Sequence, residues 1–194
     1  MKKDIKKVNI MVGRFQPFTL GHLKCLNAIR KSTGVPTLLC VIPGNGDESH
    51  PFMGSVQDKM YKKLSSAYPE LIAGVKYIKN AFIESWVVAA KDLGFKPVSW
   101  TCGTDRFAAY DNMVRKYSEE YGLCPEFKVV ELDRADDNIS ATSVRKCLKN
   151  DDREGFSGQM PECLWGMYNK MRYAVSGKPV TICQKLSGFF HKIF

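Results

Sequence analysis

The chain has 194 residues, 44% of them hydrophobic and 25% charged, enough for one compact α/β domain with an appendage and a buried core. No apolar run reaches membrane-spanning length, and the basic start "MKKDIKK" lacks the apolar segment and cleavage site of a secretory leader, so a cytoplasmic protein is expected. The seven scattered cysteines include no CxxC pair and no zinc spacing, which excludes a disulfide scaffold and points to core or surface thiols in a reducing compartment.

In chain order, "VNIMV" (8–12) reads as a buried strand, and Leu23, Leu26 and Ile29 then share a helical face. "TLLCVI" (37–42) is a second strand. Ser55 followed by Asp58 resembles a capping box before the apolar stripe Val56, Met60, Leu64. "VKYI" (75–78), "VSWTC" (98–102) and "FKVVEL" (127–132) are further strands, with helical segments near 83–93, 105–119 and 142–149. This alternation predicts an α/β fold: a Rossmann-like, doubly wound, five-stranded parallel sheet with helices on both faces. From residue 151 the strand signals stop. The expected division is a main domain over 1–150 and a C-terminal helical extension over 151–194, packed on or beside it.

The net charge of +9 is unevenly placed. Residues 1–7 carry four lysines against one aspartate, and residues 163–194 carry five basic residues and no acidic one, which leaves 8–162 nearly neutral. A basic surface for a stable nucleic-acid complex is therefore not expected. The tail "VTICQKLSGFFHKIF" (180–194) reads as a helix docked on the body or across a subunit interface, or as an amphipathic contact with an anionic surface or protein partner. His50 and His191 read as unpaired surface residues.

The chemistry concentrates in "GRFQPFTLGH" (13–22), just beyond the first strand. In an open α/β sheet, ligands bind outside the carboxyl ends of the strands. Gly13 lets the backbone approach a ligand. Thr19 is the expected N-cap, so Thr19 and His22 face one point at the start of a helix, with Gly21 leaving room between them. Helix-terminal N–H groups, a hydroxyl, an imidazole and the fork of Arg14 then meet where a phosphate would sit. "ISATSVRK" (139–146) repeats the pattern after the last strand: Ser140, Thr142 and Arg145 lie within six residues at a helix start, a spacing suited to the outer phosphates of a nucleoside triphosphate.

"GRFQPFTLGH" resembles the T/HxGH signature of the nucleotidylyltransferase superfamily, and "ISATSVRK" its ISxTxxR signature. The first loop is most similar to that of the NMN adenylyltransferases, GRFQPxHxGH, with Thr19 in place of the first histidine, as in pantetheine-phosphate adenylyltransferases. "GTDR" (103–106) resembles the segment that contacts the acceptor. "NAFIESWVVAAK" (80–91) resembles a stretch whose tryptophan stacks on nicotinamide. "HPFMGSVQDKM" (50–60) resembles NPFTxxER, with Gln57 and Asp58 where that family carries Glu-Arg. The run from 138 to 172 has the cadence of viral nucleotidyltransferase-like proteins, which would place the chain in a host cytoplasm.

The resemblance implies transfer of AMP from ATP to a phosphorylated acceptor, nicotinamide or nicotinate mononucleotide, with release of pyrophosphate. It implies catalysis by His22, Thr19 and Arg145, and nucleotide contacts from Gly13, Arg14, Phe15, Gly21, Ser140, Thr142 and Arg145. Acceptor contacts would come from Trp86, Asp105 and Arg106. Mg²⁺ would bridge phosphate oxygens without dedicated protein ligands; Asp133, Asp136 and Asp137 read as a solvated loop or partners of Arg134 before a metal site. A cytidylyltransferase using CTP and a non-catalytic assembly protein on the same fold remain the alternatives, and homo-oligomerisation is open.

Overall fold

The computed structural model describes residues 6–132 and 139–177. Asp133, Asp136, Asp137 and the tail 180–194 lie outside the described residues. Strands β1 (Lys6–Gly13), β2 (Thr37–Val41), β3 (Ile72–Tyr77), β4 (Phe95–Gly103) and β5 (Lys128–Leu132) form one parallel sheet in the order β3-β2-β1-β4-β5. Helices α1 (Leu20–Thr33), α2 (Ser55–Ala67), α3 (Ile83–Asp92) and α4 (Thr104–Tyr117) connect them; α5 (Ala141–Lys149), α6 (Arg153–Ser157), a 3₁₀ turn at Glu162–Met167 and α7 (Tyr168–Ser176) follow. This is the doubly wound, Rossmann-like arrangement that strand–helix alternation predicts. Among the described residues no helix is long and apolar enough to cross a membrane.

Alternation along the strands builds two cores. Val8, Ile10, Leu38, Cys40 and Trp100 pack under α3 and α4 with Ile83, Trp86, Ala90 and Val114. Leu39 and Val41 face the other way, under Leu26 of α1 and Met60 and Leu64 of α2. Phe156, Met160, Leu164, Met167, Tyr168 and Met171 join this second cluster, together with Val144 and Leu148 of α5. The described helices after residue 150 thus share one core with the first half of the sheet. Asn9 pins the layers from inside: its Nδ2 donates to Thr33 Oγ1 at 2.9 Å and to the Val35 carbonyl at 2.8 Å, and its Oδ1 accepts from Ser99 of β4.

Three local expectations differ from the structure. β3 begins at Ile72, before its expected start, because pairing with β2 from Thr37 onward recruits the preceding residues. α2 has no side-chain cap: Gly54, at φ 49°, is the N-cap, and Asp58 instead accepts from the Tyr77 hydroxyl at 2.7 Å. The third concerns Trp86. It is fully buried, stacked on Phe127 (centroids 5.6 Å, planes 12°) and 5.2 Å from Trp100. The apolar face of α3 that carries Trp86 is the face the sheet needs, so its ring fills the core and does not present a stacking surface to an acceptor.

Trp86→Ala is accordingly expected to cost about 3–5 kcal/mol of stability. Urea unfolding monitored by circular dichroism measures this loss.

Candidate active site at the carboxyl edge of the sheet

β1 lies between β2 and β4, and the strand order reverses there, which opens a crevice outside the carboxyl ends of these strands. Three segments converge on this edge: the loop 14–19 with the start of α1, the first turn of α4, and the start of α5.

The first loop is shaped by its aromatic residues. Phe15 adopts φ 46° and folds back over the end of β1, so a Cβ at Gly13 would lie 2.8 Å from the Phe15 ring. Glycine at 13 is required for that close approach, with the aromatic ring as the neighbour on this side of the Cα. The His22 imidazole packs against Phe15 edge-on at 5.1 Å and against Phe18 at 5.2 Å.

Thr19 is the N-cap of α1, as its position in the sequence predicts, and His22 completes the reciprocal box. The Thr19 amide donates to His22 Nδ1 at 2.9 Å, and Thr19 Oγ1 lies 3.0 Å from the same nitrogen. With Nδ1 accepting, the neutral ring carries its proton on Nε2, a tautomer assigned from this bond. Thr19 is 1% exposed, and its hydroxyl lies against His22.

α5 repeats the device. Ser140 caps it by accepting from the Ser143 amide at 3.0 Å, while Ser143 Oγ accepts from the Ser140 amide at 3.1 Å. Arg145 then reaches across to the first loop: Nη1 donates to the Gln16 carbonyl at 2.6 Å, and Nη2 donates to Thr142 Oγ1 at 3.1 Å. Burial lowers the Arg145 guanidinium below its usual range, with Asp47 and Glu48 pulling the other way. The two helix starts are close as well: a Cβ at Gly21 would lie 3.5 Å from the Ile139 carbonyl. Two positive helix ends, an imidazole and a guanidinium are thereby gathered on one edge, a setting for a polyanion.

The remaining expected residues are placed as follows. Arg14 is exposed and donates to the Pro43 carbonyl at 3.3 Å. Asp105 and Arg106 stand in the first turn of α4, both exposed, 3.4 Å apart in an ion pair, with Gly103 as the N-cap. His50 is paired: its Nδ1 lies 3.1 Å from Asp47 Oδ1, and hydrogen bonds from Asn45 and then His50 hold the Asp47 carboxyl down to about 2. Lys149 of α5 pairs with Glu48.

Sequence reasoning missed Gln159 and Gln57. The Gln159 carbonyl accepts the Leu20 amide at the start of α1 at 2.9 Å, and its side chain bonds Ser143 of α5. Gln57, buried on α2, accepts the Gly44 amide at 3.2 Å. Neither bond leaves a periodic or compositional signal; both are defined by tertiary packing alone. Among the described residues no group of three or more His, Cys, Asp or Glu side chains gathers as a metal centre.

With this geometry in place, solved structures supply relatives of the fold. The chain is similar to the Plasmodium falciparum nicotinic acid mononucleotide adenylyltransferase complexed with NaAD (TM-score 0.59, 14% identity, 87% of this chain and 96% of that one). It is similar to a Vibrio parahaemolyticus protein described as a nicotinate-nucleotide adenylyltransferase (TM-score 0.57, 15% identity, 89% and 99%). It also resembles Thermotoga maritima TmcAL bound with alpha-thio ATP (TM-score 0.56, 12% identity), 87% of this chain aligning with 56% of that one. No protein-family model and no curated protein sequence matches the chain. At these identities the matches establish a shared fold.

Because His22 caps α1, its two roles separate by substitution. His22→Ala is expected to lose about 0.5–1.5 kcal/mol with the lost hydrogen bond. His22→Gln, which keeps an acceptor at the same helix position, should melt close to the wild type. Thermal melts of the two variants side by side check this.

Proposed function

We propose that the protein is a nucleotidyltransferase that moves AMP from ATP onto nicotinamide or nicotinate mononucleotide. The observation that carries this reading is the bond from Arg145 to the Gln16 carbonyl, which joins the T/HxGH-like loop to the ISxTxxR-like helix at two adjacent helix starts. A phosphate oxygen of the acceptor attacks the α-phosphorus of ATP, the new O–P bond forms, the bond to the bridging oxygen of the β-phosphate breaks, and pyrophosphate leaves with that electron pair. The acceptor phosphate is already anionic near neutral pH, so the task is positioning and charge stabilisation, with no strong base required.

In this mechanism His22 donates from Nε2 to an α-phosphate oxygen as negative charge builds there, and Thr19 fixes the ring for that donation. Arg145, with Thr142 and the α5 terminus, holds the β- and γ-phosphates and steadies the leaving pyrophosphate. Mg²⁺ would enter on the triphosphate as part of the substrate. Asp105 and Arg106, in the first turn of α4 beyond β4, would contact the acceptor. With Trp86 in the core, stacking on the acceptor ring falls to Phe82, the N-cap of α3 at the carboxyl end of the sheet, where it is 61% exposed.

The test is pyrophosphate release from ATP, CTP and GTP, each with and without either mononucleotide. Release is expected with ATP only when a mononucleotide is present. Release with CTP alone among the triphosphates would move the assignment to a cytidylyltransferase, and none with any pair would refute catalysis. In the same assay His22→Gln should reduce kcat by about 10²–10³.

Phe82→Ala should raise the KM of the mononucleotide by about 5- to 100-fold and leave the KM of ATP within about twofold, the size of one lost stacking contact. Steady-state kinetics with each substrate varied in turn checks it.

A further inference from the structure

We infer that Gln16 is a positioning residue for Arg145, locking the first loop and the β2–α2 connection (residues 42–54) into the one frame against which the arginine is aimed. This rests on the catalytic reading above. Gln16 is 3% exposed, and both ends of its amide are used on the main chain of one residue: Nε2 donates to the Phe52 carbonyl at 2.8 Å, and Oε1 accepts the Phe52 amide at 2.9 Å. Phe52 is itself fully buried in the core under α2. The main-chain carbonyl of the same glutamine accepts from Arg145 at 2.6 Å. One residue thus ties three segments that are remote in sequence.

The connection is closely fitted to this side chain. A Cβ at Gly44 would fall 2.1 Å from the Phe52 carbonyl and 2.6 Å from Gln16 Nε2. The Gly44 amide is held on its other side by Gln57. The tip of the connection carries Asp47 and Glu48, whose charges act on Arg145, and Glu48 also pairs with Lys149 one turn further along α5. Gln16 therefore sets both the carbonyl that Arg145 grips and the carboxylates that bias its guanidinium. A phosphate-holding group displaced by an ångström loses rate far more than it loses fold. A side chain with a donor and an acceptor at this reach satisfies both main-chain groups of Phe52, which is the chemical reason for glutamine here.

Two variants of the full chain test the inference. Gln16→Leu keeps the bulk and removes both bonds. Gln16→Glu keeps the acceptor, and its carboxyl regains the missing donor only when protonated; as a carboxylate it opposes the Phe52 carbonyl. The charged and titratable groups on the segments that meet it are Arg14 from the first loop, Arg145 from α5, His22 from α1, and Asp47, Glu48 and His50 from the connection, so every profile is read as a ratio to the wild type.

For Gln16→Leu, kcat should fall about 10- to 100-fold with the mononucleotide KM within about twofold. Amide hydrogen exchange should rise in 44–53 and in the first turn of α5, and stay unchanged in α3 and α4. For Gln16→Glu, the kcat ratio to wild type should climb as pH falls from 8 to 6. Unchanged exchange in 44–53, a rise there without one in α5, a rise throughout the molecule, or a flat kcat ratio for Gln16→Glu would each overturn the inference. A wild type that releases no pyrophosphate would instead remove the catalytic reading, and the exchange pattern would still decide whether Gln16 links the two segments.

Discussion

One hydrogen bond organises the candidate site: the Arg145 guanidinium on the Gln16 carbonyl, spanning 129 residues. It takes the first half of α5, which is reached only after the last strand, and fixes it to the loop that leaves the central strand. Together with the Gln159 bonds to Leu20 and Ser143, that closure brings His22 and Arg145 to one edge of the sheet. A bond from a charged donor to a partly buried carbonyl is also the kind that gains most from exclusion of water.

The two helix starts share a second property. Each spends a local side chain on closing its own first turn: His22 on the Thr19 amide, and Ser143 on the Ser140 amide. Capping usually reads as a stability device. At α1 it also orients a titratable ring, since accepting at Nδ1 places the remaining proton on Nε2. Gln159, from the segment after α6, then reaches back to both helix starts. The helical residues that follow the sheet are thus more than a cover for one core; they set the relative position of α1 and α5.

How far the sequence was legible follows from the range of each signal. The five strands, their parallel arrangement and the faces of the helices were readable because apolar periodicity is local, and alternation of strands with helices leaves few topologies. Thr19 as the cap of α1 was readable for the same reason. Trp86 was misjudged because a tryptophan on an apolar helix face looks the same whether it meets a ligand or Phe127; only the sheet behind α3 decides. Asp58 was assigned to a cap and is instead a partner of Tyr77, which arrives from the neighbouring strand β3.

By itself the sequence determined the parallel α/β architecture, the two loop motifs and the residue types able to hold a phosphate, since these rest on spacing within a few residues. The tertiary structure alone decided which of them meet. Burial turned Thr19 from a phosphate donor into the holder of His22, took Trp86 out of the cleft, and gave Gln16, Gln57 and Gln159 their partners. The physical reason is that a buried amide or carbonyl must be satisfied by whatever the fold brings beside it. For Gln16 that neighbour is a peptide 36 residues away, and no local pattern in the chain encodes it.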